Sequence, residues 1–187
     1  MKVVSGGSAN STTVKAGGTI NGFTLQTDNF YLDQIHISNA IVTGDVTLYS
    51  RQTATSTTIF SGGSMNVGGG GSANSTTVNS GGSMTVNRNG TANSTTVNSG
   101  GSMTVSFTSA TNTTVHGYMD VKSESNAINT IVSSGGYVLI SGRTDSNFYN
   151  SQYAARAIAT SIYAGGKMVV CDKGIATSTT VNSGGSM

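Results

Sequence analysis

"ANSTTVNSGGSMTV" fills residues 73–86 and returns letter for letter at residues 92–105. A catalytic centre needs one constellation of side chains, so an exact copy points to scaffold. The six-letter block that opens it, with Ala first, Thr fourth and Val or Ile sixth, is traceable through the chain. It stands at 9–14, 54–59, 73–78, 92–97, 110–115, 127–132, 157–162 and 176–181, with a degenerate ISNAIV at 37–42. These are nine units with starts 28, 17, 19, 19, 18, 17, 30 and 19 residues apart. Such periods signal a stacked repeat architecture.

Each block runs into a glycine turn, usually Gly-Gly as at Gly81-Gly82 and Gly100-Gly101. Units two and six have only Gly44 and Gly117. A second short strand follows, with apolar residues two apart: Met65/Val67, Met84/Val86, Met103/Val105, Met119/Val121, Val138/Ile140 and Met168/Val170. Period two means strand. Neither strand can bury its apolar face alone, whereas stacked units bury all of them. In the block, alternation places Asn74, Thr76 and Val78 inward and Ser75 and Thr77 outward. Stacking then makes a methionine stack and a threonine ladder, the buried hydroxyls bonding to the next coil or to backbone. The expected fold is all-β, a right-handed parallel β-helix (β-solenoid) of about nine coils, with 17–19 residues per regular coil. Residues 1–187 are expected to form one solenoid domain, a fragment of a longer array. The absence of proline fits, since proline would delete a ladder hydrogen bond.

The period stretches twice, at loop insertions of about 22–36 and 141–156. Both leave the same corner, about 29 Å apart if coils stack at 4.8 Å. Both are aromatic, with Phe23, Phe30 and Tyr31 in one and Phe148, Tyr149 and Tyr153 in the other. Insertions on one face of a solenoid commonly form its binding face, so these six are the candidate binding residues.

Only 9% of residues are charged and the formal net charge is +2, which excludes a basic nucleic-acid footprint. No apolar run is long enough for a transmembrane helix, and no secretory h-region opens the chain. Cys171 stands alone, so no disulfide or zinc framework is expected. His36 and His116 lack a nucleophile in any recognisable motif, and no calcium-binding GGxGxD repeat is present. Asp45 and Asp120 take comparable outward positions, about 19 Å apart and too far for a catalytic pair. The expectation is no enzyme, no cofactor and no metal. Asn10-Ser11-Thr12, Asn74-Ser75-Thr76 and Asn93-Ser94-Thr95 match a glycosylation acceptor only because the coil recurs.

The strings "TANSTTVNSGGSMTV" at 91–105 and "ATSTTVNSGGSM" at 176–187 resemble the passenger repeats of AIDA-type autotransporter adhesins. The resemblance implies a Gram-negative surface or secreted protein, exported through the outer membrane, that mediates adhesion or self-association. It implies surface glycans or proteins as partners. A glycosyltransferase is implied too, acting on turn serines that by position are Ser61, Ser80, Ser99, Ser134 and Ser183. Two alternatives stand beside it. A carbohydrate-active β-helix enzyme, a lyase or glycosidase, would depend on Asp120 or Asp145. An ice-binding solenoid would use the outward Ser-x-Thr array of Ser56/Thr58, Ser75/Thr77 and Ser94/Thr96, which Asn112, Asn129 and Ala159 interrupt. Tyr49, Tyr118 and Tyr137 point to other uses of the surface.

Overall fold

The period-two apolar pairs and the glycine corners assemble into three parallel sheets running the length of the stack. The structure is a computed structural model that describes residues 8–10, 13–14, 19–21, 35–142 and 154–187. Two sheets have nine strands and the third has eight, each made of every third strand in chain order. In coil 4, Ser72–Asn74 lies in the first sheet, Thr77–Val78 in the second and Ser83–Asn87 in the third. Every pairing is parallel and in register, as for Ala73 with Ala92, Val78 with Val97 and Met84 with Met103. The fold is a parallel β-solenoid. Of the nine expected coils, eight show all three strands among the described residues, the first with Ser8–Asn10, Thr13–Val14 and Thr19–Asn21 and seven more between Ile35 and Cys171, and the ninth shows two.

The coil has three strands, not the two read from the sequence. The block ANSTTV is broken inside by Ser75, whose φ is 56°. Asn39, Ser56, Ser94, Asn112, Asn129, Ala159 and Ser178 hold the same corner with φ between 50° and 57°. This left-handed bend costs an L-residue about 1–2 kcal/mol, least where Asn occupies it. The bend resets the alternation. Ala73 is therefore buried where Asn74 was expected inward, while Thr76 and Val78 face the core as expected. The bent backbone stays in the ladder, since the Ser75 N–H donates to the Asn93 carbonyl of the next coil at 2.9 Å.

Each interior coil contributes one core layer: in coil 4 this is Ala73, Thr76, Val78, Met84 and Val86, all 0–1% exposed. Burying a Val or Met side chain is worth about 1.5–3 kcal/mol. The methionine stack is present, with Met65, Met84, Met103 and Met119 in successive register and Met168 beyond Val138. The threonine ladder is also present, but its hydroxyls are not satisfied as expected. The Oγ1 atoms of Thr57, Thr76, Thr95, Thr113, Thr130, Thr160 and Thr179 are buried without a hydrogen-bond partner. Strands lie about 4.8 Å apart, so like rotamers on successive rungs hold their oxygens far beyond the 2.7–2.8 Å of a hydroxyl bond. The surrounding backbone groups are already committed to the inter-coil ladder. Ala40 takes this place in coil 2 and carries no hydroxyl at all.

Candidate functional site

Three surface features were marked by the repeat: the insertions, the glycine turns and the outward face of the Met-x-Val strand. The first insertion leaves the third sheet at Thr19–Asn21 and rejoins the first at Ile35–Ser38. The second leaves at Tyr137–Ser141 and rejoins at Arg156–Ile158. The strands that flank both belong to the third and first sheets, and they reach into the ranges 22–36 and 141–156. Ile35 and His36 already belong to a strand, and Ala154 and Ala155 are buried. Phe23, Phe30, Tyr31, Phe148, Tyr149 and Tyr153 lie outside the described residues.

The five turn serines form an edge. Ser61, Ser80, Ser99, Ser134 and Ser183 are all exposed, at the corner between second and third sheets. The glycine after Ser80 serves two needs. Gly81 has φ +72°, and a Cβ built on it would stand 2.6 Å from the Ser61 Oγ of the preceding coil. Gly100 stands in the same relation to Ser80, and Gly165 to Ser134. Small glycine therefore leaves the space into which the previous serine leans. The second glycine is tighter, since a Cβ on Gly136 would fall 2.1 Å from the Val115 carbonyl oxygen. Coil 6 has the shorter His116-Gly117 turn, which notches the edge between Ser99 and Ser134.

The outward face of the third sheet changes character along its length. In coils 3 to 5 one column holds Ser64, Ser83 and Ser102, and the next holds Asn66, Thr85 and Thr104. From coil 6 these columns carry Tyr118, Tyr137 and Lys167, and Asp120, Leu139 and Val169. Tyr118 and Tyr137 stack with ring centroids 5.8 Å apart and planes within 13°. The Lys167 ammonium lies 5.8 Å from the Tyr137 centroid on the far side, a cation–π contact. Asp120 pairs with Lys122 at 3.4 Å, while its Oδ1 is buried without a partner. Burial, and then the Asp120 carboxylate and Tyr137, raise the Tyr118 phenol above its ordinary value. The Tyr–Asp–Lys cluster was not singled out from the sequence as a site. Its signal was there, in Tyr118 and Tyr137 standing where other coils have Ser.

Other chemistry finds little support among the described residues. No group of three His, Cys, Asp or Glu side chains is placed to hold a metal ion. Asp45 and Asp120 are four coils apart and, contrary to expectation, not at equivalent positions. Asp45 is level with Ser64, whereas Asp120 is level with Thr104 in the neighbouring column. Cys171 is half-buried on the third sheet, its thiol pushed up by burial and by Asp172, so it is not an activated nucleophile. The Ser-x-Thr array is split, because Ser75 occupies the bend and Thr77 the next sheet. That geometry removes the flat lattice an ice-binding face needs. No helix among the described residues is long and apolar enough to cross a membrane.

Comparison with known proteins bears on the same repeats. Residues 50–101 match the AIDA family model, described as "Adhesin of bacterial autotransporter system, probable stalk". The fold is similar to the crystal structure of a TibC-catalysed, hyper-glycosylated fragment of TibA. The TM-score is 0.53 at 29% sequence identity, covering 99% of this chain and 76% of that one. No curated protein sequence matches.

Proposed function

We propose that this chain, a run of AIDA-type autotransporter passenger repeats, works at the bacterial surface as a stiff spacer that holds adhesive chemistry away from the membrane. The observation that carries this is the match of residues 50–101 to the adhesin stalk, with unbroken register from Ile35 to Cys171. A parallel stack whose coils each contact only their neighbours suits a long presenting surface and coil-by-coil folding during export. No step of bond-making chemistry is assigned to it. Its partners are glycans or proteins of an opposing cell, or a second copy of the solenoid, reached through exposed ladders and the two insertions. The test is display of the passenger on a non-adherent, non-aggregating bacterium. Gain of cell binding or autoaggregation is expected, and a display-positive strain that does neither overturns the reading.

The turn serines support a second element of the same role. Ser61, Ser80 and Ser99 stand on three successive coils of one exposed edge, and the similar TibA fragment is hyper-glycosylated. A glycosyltransferase acting on this chain would find these hydroxyls first, with coil 6 and Ala164 as gaps in the row. Co-expression with such an enzyme should add sugar-sized mass increments that vanish when the five serines become alanine. An unchanged intact mass removes this element and leaves the adhesive role standing.

A further inference from the structure

We infer that the step in the outward face of the third sheet, where Ser102 and Thr104 give way to Tyr118 and Asp120, is a binding site for a neutral pyranose unit of a glycan. This deepens the adhesive reading and rests on it for the source of the glycan, the surface of an opposing cell.

The step is a consequence of register. Tyr118 follows Ser102 directly on the next rung, and Asp120 follows Thr104. One face of the Tyr118 ring is taken by Tyr137. The opposite face looks over coil 5, where the register partner is a serine and no second ring meets it. Tyr118 is 38% exposed, so a wall of aromatic carbon stands above a floor of hydroxyls from Ser83, Ser102, Thr85 and Thr104. A pyranose offers the complementary pair of surfaces: a C–H face for the ring, and hydroxyls for a polar floor.

Asp120 supplies the directional contact. Its Oδ1 is buried without a partner and closed to a ligand, so the atom a sugar hydroxyl would meet is Oδ2, held 3.4 Å from the Lys122 ammonium with acceptor capacity to spare. At the open face of Tyr118 the charges balance, Lys122 against Asp120, while the Lys167 ammonium sits against Tyr137 two coils beyond, which favours an uncharged ligand at the step over an acidic one. The fold does not require these residues. Coils 3 to 5 build the same strand with Ser, Thr and Asn at these places, so the departure at coil 6 is free to serve a ligand.

The repeat provides the controls. Tyr118→Ser and Asp120→Thr each restore the residue that coil 5 already carries, so both variants are expected to fold, with circular dichroism as the check. Lactose, maltotriose and methyl α-mannoside would be titrated while the tyrosine ring resonances are followed by NMR. At least one should shift Tyr118 and Tyr137 saturably with a millimolar Kd, and each variant should bind it about tenfold more weakly or not at all. No shift with any of the three, or equal binding by Tyr118→Ser, overturns the inference. Adhesion without sugar binding would remove this site and spare the adhesive role; sugar binding without adhesion would do the reverse.

Discussion

Asn98 donates its side-chain amide to the Asn79 side-chain Oδ1 one coil below at 2.8 Å, and Asn112 donates likewise to the Asn93 Oδ1 at 2.9 Å. An asparagine amide is long enough to span a rung; a threonine hydroxyl held on a rigid χ1 is not. The buried Thr ladder therefore carries a desolvation cost in every coil that has it. Thr95→Val replaces an unpaired buried hydroxyl with a methyl of similar shape, and should stabilise by about 1 kcal/mol in chemical denaturation. Thr95→Ser keeps the cost and loses a methyl, so it should destabilise by about 0.8 kcal/mol. The identity of this ladder was legible in the spacing of Thr57, Thr76 and Thr95. Its lack of partners was not, because that depends on the rung distance and on prior use of the backbone groups. Tyr118 gives a second check at this scale. Its phenol is raised above 10.0 first by burial and then by Asp120 and Tyr137. The folded state thus favours the protonated phenol. That contribution is intact below the unfolded value and is lost as pH climbs through the folded one. Asp120→Asn should lower the Tyr118 midpoint in an ultraviolet phenolate titration without returning it fully to the ordinary value, since burial is the larger cause.

At the scale of the element, the corners decide the coil. Gly135 and Gly136 are adjacent, yet they answer different constraints. Gly135 has φ +79° and its nearest would-be contact is 3.4 Å, whereas Gly136 has the Val115 carbonyl oxygen 2.1 Å from its would-be Cβ. Gly135→Ala should cost about 1–2 kcal/mol, the price of a left-handed L-residue. Gly136→Ala forces two backbones apart and should cost about 3 kcal/mol or more, read as the larger fall in denaturation midpoint. If the two variants are equal, close approach is not what selects the second glycine. The Gly-Gly corner was plain in the sequence because glycine is the only residue that fits it. The Ser75 corner was missed because Ser, Asn and Ala there look like ordinary strand residues, and only the uniform φ of 50–57° reveals the bend. That single miss put Asn74 in the core in place of Ala73 and merged two sheets into one.

Over the whole molecule, parallel stacking was legible because apolar residues two apart, returning every 17–19 residues, have no other way to be buried. The Tyr118 step was not legible in the same way, since it exists only once register sets Tyr118 beside Ser102 and Asp120 beside Thr104. A stack in which each coil contacts only its neighbours also permits an operation that a globular core forbids. Because residues 73–86 and 92–105 are identical, deleting residues 73–91 joins Ser72 to Ala92 and removes one whole coil without changing any local sequence pattern. Every remaining strand keeps a partner of the same type, so the shortened chain should fold with unchanged circular dichroism. Its long axis should fall by about 4.8 Å in solution scattering. Deleting residues 73–82 instead removes about half a coil and forces third-sheet residues against first-sheet partners. That chain should lose cooperative unfolding. The comparison isolates register from composition, because both deletions draw on the same Ser, Thr, Asn and Gly. If both fold equally well, the solenoid is held by general collapse, and the ladders of Ala, Thr, Val and Met do not specify it.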